Sequence, residues 1–245
     1  MSAHTGRRAL VELSEQYESC ERCSLLCTSR RQVVFGSGRS SAPVLIVGEA
    51  PGVAEDAEGV PFVGDSGRLL MDLLAKAWPV NDELDTILKV KDEDEYFDRL
   101  REYLDGFVFW TNAVMCHPGE NRTPSSAEIK NCTERLHRTI YAVDPLLVIG
   151  VGKIPVSVLV GKSVAITDKH GTIFDVAVDS PVTESPIRYP MLAVLHPAFL
   201  LRQGDQNLVK LRRGHTYDTL CDLKQGFSIL EKLHTKAYGR PFTEP

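Results

Sequence analysis

The chain has 245 residues, 43% of them hydrophobic and 25% charged, with a formal net charge of -5 at pH 7. That is enough apolar material for a substantial core, and it excludes a fibrous or wholly disordered chain. No run approaches the roughly 20 apolar residues of a membrane span, and the opening MSAHTGRRALVELSEQY lacks the apolar centre of a secretory signal, so the chain reads as cytoplasmic, with no membrane as partner.

In chain order, the apolar run VLIV at residues 44–47 is the first strand expected, continuous enough to be buried on both faces of a parallel sheet. A loop with five glycines and two prolines follows it, from Gly48 to Gly67, and leads to leucines on one helical stripe at residues 67–78. Between residues 80 and 105 ten acids stand against four bases, an acidic insertion that we expect to project away from any binding groove. FVFWTNAV at residues 107–114 is the second strand, and Ser125 with Glu128 is a capping-box signature opening a helix toward Val143. LLVI at residues 146–149 is the third strand. Gly171 suits the turn of a small hairpin leading to the fourth, MLAVL at residues 191–195. Tyr217, Leu220, Leu223, Phe227 and Leu230 mark a closing helix.

Strands alternating with helices, with no linker long enough to divide them, predict one α/β domain over residues 1–245. The expected architecture is a three-layer α/β/α sandwich around a four-stranded, mainly parallel sheet. In such sheets ligands bind beyond the carboxyl ends of the strands. Glu49 follows the first run, Asn112 lies near the end of the second, Gly150 and Gly152 follow the third, and His196 follows the fourth.

Six cysteines in a cytosolic chain suggest metal binding or chemistry more than disulfides. Cys20 and Cys23 have C-x2-C spacing, and Cys116 and Cys132 are separated by fifteen residues. Four thiolates fit an iron-sulfur cluster or a structural zinc. Cys27 lies close enough to compete as a ligand, but with Cys221 it reads as a small buried hydrophobe. Charge is informative near the end of the chain, where Arg202, Lys210, Arg212 and Arg213 stand against Asp205 alone. That field suits phosphates, and equally an ordinary solvated face.

Four segments, in order, resemble the family 4, iron-sulfur uracil-DNA glycosylases. They are GEAPGVAEDAEGVPFVGDSG from Gly48, NAVMCHPGENRTP from Asn112, HPAFLLR from His196, and the cysteine set. The resemblance covers roughly residues 17–230 and implies hydrolysis of the N-glycosidic bond of uracil in DNA, leaving an abasic site. It implies a 4Fe-4S cluster on Cys20, Cys23, Cys116 and Cys132, with structural zinc as runner-up. The partner it implies is uracil-containing DNA, single- or double-stranded, bound by a monomer.

Such chemistry needs a flipped base to be stacked, read on its edge and stabilised as it leaves with negative charge. Phe62 offers a stacking face, although a core phenylalanine has the same look. Asn112 can donate to uracil O4 and accept from N3-H, although alone it also suits a turn. His196 can donate to O2. Glu49 and Glu55 are the carboxylates able to position water, and Glu49 and Ala50 line the expected pocket. Leu200 and Leu201 are wedge candidates or a helix-packing pair. Arg202, Asn121 and Arg122 are candidates for the DNA backbone.

The sequence departs from the family's pattern where Glu120 intervenes between Gly119 and Asn121, and where His117 and Pro118 stand in place of an Arg-Pro-Pro run. The latter removes a positive charge near the cysteines. A glycosylase for a modified pyrimidine, a non-catalytic nucleic-acid or replication-partner module on the same fold, and a zinc-stabilised nucleotide hydrolase are the competing readings.

Overall fold

The described residues of the computed structural model are 3–79, 81–203, 214–240 and 242. Their elements run α1 (Ala3–Glu18), α2 (Ser24–Ser29), β1 (Ser37–Gly38), β2 (Val44–Gly48), α3 (Val53–Glu58), α4 (Asp65–Ala77), α5 (Asp82–Ile87), α6 (Glu93–Asp105) and β3 (Val108–Asn112). They continue with α7 (Ser126–Val143), β4 (Leu147–Val151), α8 (Lys153–Val160), α9 (Ile166–Lys169), β5 (Ile173–Val178), β6 (Ile187–Val194), α10 (Pro197–Arg202) and α11 (His215–Tyr238).

The sheet order is β1-β3-β2-β4-β6-β5. The four apolar runs form its centre, with β3, β2, β4 and β6 mutually parallel. Two antiparallel edges bring the strand number to six rather than four. β1 is only two residues long, too short to leave a periodic signal. The hairpin is real, because β5 pairs antiparallel with β6, but Gly171 is not its turn. Gly171 sits before β5 with a left-handed φ of 75°, and the connection runs through residues 179–186.

Alternation along each central strand sends successive side chains to opposite faces. Val44, Ile46, Val108, Trp110, Leu147, Ile149, Leu192 and Val194 join one core with α4, α6 and α11. Leu45, Val47, Phe109, Val148, Met191 and Ala193 join the other with α7 and α8. A smaller third cluster ties Leu13, Tyr17 and Leu26 of the N-terminal arm to Val114, Met115, Cys116 and Cys132.

Several helices begin at side-chain caps. Ser125 caps α7, accepting from the Glu128 N–H at 3.3 Å while the Glu128 carboxylate accepts from the Ser125 N–H at 2.7 Å. Asn81 and Asp92 cap α5 and α6 by accepting from the Leu84 and Glu95 N–H groups.

The acidic insertion is not an appendage. Leu84, Ile87, Leu100, Tyr103 and Leu104 are buried in the first core, while the acids of α5 and α6 lie mostly on the outer face. The stretch is amphipathic, its apolar stripe interrupted by charge in the linear sequence. Lys210, Arg212 and Arg213 of the basic segment lie outside the described residues. No helix among the described residues is long and apolar enough to cross a membrane.

Full burial makes Leu100 a structural leucine, so Leu100→Ala is expected to cost about 2–5 kcal/mol in urea denaturation. A cost under about 0.5 kcal/mol, the range of surface substitutions, would restore the appended insertion.

Candidate functional site

Chain reversal in strand order places a crevice at the carboxyl end of β2, whose neighbours β3 and β4 lie on either side. Gly48 ends β2 directly opposite Asn112, which ends β3. The pairing continues past the strands, with Ala113 donating to Gly48 O at 2.8 Å and Val114 to Glu49 O at 3.0 Å. A Cβ on Gly48 would stand 2.2 Å from Asn112 Oδ1 and 2.8 Å from Phe62 Cζ. The absent side chain is therefore what lets the amide and the ring meet at the floor of the crevice.

Phe62 is held in a left-handed conformation, φ 61°, costly for an aromatic residue and found where surrounding structure imposes it. Gly67 accommodates it, since a Cβ there would come within 2.0 Å of Phe62 O. The ring leans on Trp110 at 5.4 Å between centroids. Arg101 of α6 fixes the other side. Its guanidinium donates to Pro61 O at 2.9 Å, Ser37 Oγ at 2.7 Å and Asp105 Oδ1 at 2.9 Å, and lies 4.9 Å from the Trp110 ring centroid. Trp110 in turn donates to Asp105 Oδ1 at 2.7 Å.

Asn112 is buried, and among the described residues no protein group hydrogen-bonds its side-chain amide. Its carbonyl, by contrast, accepts from Arg135 at 2.6 Å.

The two glutamates have different surroundings. Glu55 is a staple: its carboxylate accepts from the Gly52 and Gly64 N–H groups, both at 3.0 Å, closing the two ends of the loop. Asp56 is buried and accepts from the Arg31 N–H at 2.8 Å, so this pair is not the solvated loop its charge suggests. Glu49 has no such partner among the described residues. Loss of water alone raises its carboxyl above the ordinary range. Ala50 turns its methyl toward the cysteine cluster.

His196 caps α10, and its Nδ1 accepts from the Ala198 N–H at 3.1 Å. An accepting Nδ1 leaves the proton of the neutral ring on Nε2. Burial first, then the charge of Arg202, pushes the imidazole down to about 4. Gly152, φ 92°, lies against this ring, where a Cβ would come 3.1 Å from Cδ2.

Leu200 is spent on the core, which leaves Leu201, half-exposed one residue on, with Arg202 exposed beside it. Asn121 is exposed in a run of three left-handed residues, Gly119 to Asn121. Arg122 is exposed, but its guanidinium grips Glu128 at 2.7 and 2.9 Å and holds that carboxyl down to about 2. His117 is buried and bonded through Nδ1 to Pro51 O at 3.0 Å, so it ties the glycine loop to the segment after β3.

Cys20, Cys23, Cys116 and Cys132 gather in the third core cluster. Two of their sulfurs receive hydrogen bonds, Cys116 from Arg30 at 3.0 Å and Cys23 from Asn131 at 3.3 Å. Burial pushes the Cys116 thiol up to about 11 and raises Cys23 as well, so ionising the set calls for positive charge among it. Among the described residues, no three His, Cys, Asp or Glu side chains converge closely enough to hold a single metal ion. Cys27 is half-buried beside this group, and Cys221 is exposed on α11, contrary to its reading as a buried hydrophobe.

The roles of Trp110, Arg101 and Arg135 have no motif in the sequence, and His117 is read there only as a lost positive charge. Trp110, at an inward position of β3, carries a local signal of burial.

A family model described as the uracil DNA glycosylase superfamily matches residues 35–220. The chain is 29% identical over 228 residues to the type-4 uracil-DNA glycosylase of Thermotoga maritima, covering 92% of this chain and 97% of that protein. It is 30% identical over 194 residues to the type-4 uracil-DNA glycosylase of Pyrobaculum aerophilum, covering 79% and 85%. With that of Saccharolobus solfataricus it shares 35% identity over 150 residues, 61% and 58% of the two chains.

The histidine geometry has a direct check. Nitrogen NMR is expected to find His196 neutral, with its proton on Nε2, from pH 5.5 to 8. Because the unfolded chain takes up a proton near 6.5 and the folded one only near 4, His196 also makes stability fall as pH drops through that window. A His196 titration near 6.5 would contradict the geometry.

Proposed function

Since the chain belongs to the uracil-DNA glycosylase superfamily and, within it, to the type-4 enzymes, we propose that the crevice at the end of β2 is where it excises uracil from DNA. The protein is a DNA-repair hydrolase that cuts the bond between uracil and its deoxyribose. The observation that carries the residue assignment is the unpartnered amide of Asn112 meeting the Phe62 ring over Gly48.

Uracil flipped from the strand stacks on Phe62. The Asn112 amide donates to O4 and accepts from N3-H, a pattern that cytosine reverses. As the N1–C1′ bond breaks, its electron pair leaves with the base, and the Nε2–H of His196 donates to O2, where negative charge accumulates. A neutral imidazole suits this role, because its proton is shared with the anion and not surrendered early. Water forms the new bond to C1′. Glu49, half-buried and without a hydrogen-bond partner among the described residues, orients that water and faces the positive charge growing on the sugar. The backbone of Ala50 completes the wall, and Glu55 acts by holding the loop closed. Leu201 fills the gap left by the base, and Arg202 and Asn121 meet the backbone phosphates, with Arg122 placed behind them by Glu128.

The four cysteines hold a 4Fe-4S cluster. Four thiols share one patch, and the resemblance to the iron-sulfur family favours a cluster there over a lone zinc. Bound there, the cluster pins the N-terminal arm to the segment after β3. The enzyme works as a single-domain monomer in the cytoplasm, on single- or double-stranded DNA.

The two glutamates separate by experiment. Glu49→Gln is expected to lower single-turnover uracil excision by about 10²-fold or more with little change in stability. Glu55→Gln is expected to weaken the loop and lower stability, with a smaller loss in the chemical step. Asn112→Ala and His196→Ala should each lose about 10²–10³-fold. Full excision by Asn112→Ala or His196→Ala protein would remove the pocket assignment.

A further inference from the structure

Arg135 lies on α7 with no exposed surface, among the largest fully buried side chains. It forms no ion pair with a carboxylate among the described residues. Its guanidinium donates to Thr111 Oγ1 at 3.0 Å, Asn112 O at 2.6 Å and Ala113 O at 3.2 Å, all at the end of β3. Among the described residues its Nε has no hydrogen-bond partner. The Cys132 thiol lies one helical turn before it on α7, in the buried patch that also holds the Cys116 thiol and the Tyr17 hydroxyl, and these are the neighbouring groups able to carry negative charge. A buried cation is tolerated only when paired, and a buried N–H left over marks a partner still to be supplied.

We propose that Arg135 couples the cysteine patch to the base-reading pocket, as counter-ion of the cluster-bound thiolates and, through the same guanidinium, as clamp on the carbonyl of Asn112. The proposal rests on the iron-sulfur reading. One end of the guanidinium then answers the negative charge that four thiolates bring, and the other fixes the peptide whose side chain reads uracil. Arg30 plays only the first part, from the outer side, through its bond to Cys116. Arg135 touches neither substrate nor reacting atoms and is a positioning residue. With the thiolates absent, its charge has no answer in the core, and the Asn112 peptide loses a fixed anchor.

The test uses anaerobically purified holoenzyme, Arg135→Met and Arg135→Lys, assayed first for iron and sulfide, then for the lifetime of cluster absorbance in air, then for uracil excision under single turnover. The methionine variant is expected to shorten cluster lifetime and to weaken uracil binding, each by about 10-fold or more, as for residues that support metal ligands from behind. The lysine variant keeps the charge and loses the fork, so its cluster lifetime stays near wild type while the substrate concentration for half-maximal rate rises. That split is one a purely structural role would not produce. Wild-type cluster lifetime and wild-type binding in the methionine variant would overturn the coupling. If the methionine variant does not fold, the lysine variant decides: wild-type binding overturns the clamp, and cluster loss overturns the counter-ion role. Wild-type protein purified without iron would overturn the cluster reading itself and, visibly at the first assay, the coupling that depends on it.

Discussion

The site depends on a side chain that is not there. Parallel pairing sets Gly48 directly across from Asn112, and the space a Cβ would take is already held by the Asn112 amide and the edge of Phe62. Register alone fixes which residues meet, since slipping the pairing by one residue would turn every strand side chain to the other face. Gly67 does the same for the backbone of Phe62, and Gly152 for the ring of His196. Three glycines thus define where a flat ligand can lie, and two of them end or follow strands at the switch in strand order.

Around that space, polar groups divide into those committed to structure and those left free. Glu55, Asp56, His117, Arg101 and Arg122 all have partners, and between them they fasten the glycine loop to α6, to the N-terminal arm and to the segment after β3. Among the described residues, Glu49, the amide of Asn112 and the Nε2 of His196 have none. Groups without protein partners in a partly dry crevice are the ones a substrate can engage, and fixing everything around them beforehand spares reorganisation when charge develops. The left-handed φ of Phe62 fits that pattern of local strain held by its surroundings.

Much of this was legible in the chain, and the parts that were not share a cause. The four continuous apolar runs announced the parallel centre, and Ser125 with Glu128 announced the start of α7, because both signals are local. β1 is two residues long, so no periodicity existed to be seen. Gly171 was rightly a special turn but was assigned to the wrong end of β5. The apolar face of the acidic stretch, held by Leu84, Ile87, Leu100 and Leu104, was hidden by its charge density. The sequence favours Glu49 over Glu55 only narrowly, and the backbone N–H groups that occupy Glu55 separate the two. The work of Arg101 and Arg135 spans long sequence separations, and no short-range pattern encodes it.

The most direct measurement is base release by the wild-type protein, with its iron content known, from oligonucleotides carrying one uracil, one cytosine or one thymine. Uracil is expected to be released, leaving an unbroken strand with an abasic site, while cytosine and thymine stay in place. Protein that holds iron and sulfide yet releases no uracil from either single- or double-stranded DNA would contradict the uracil assignment.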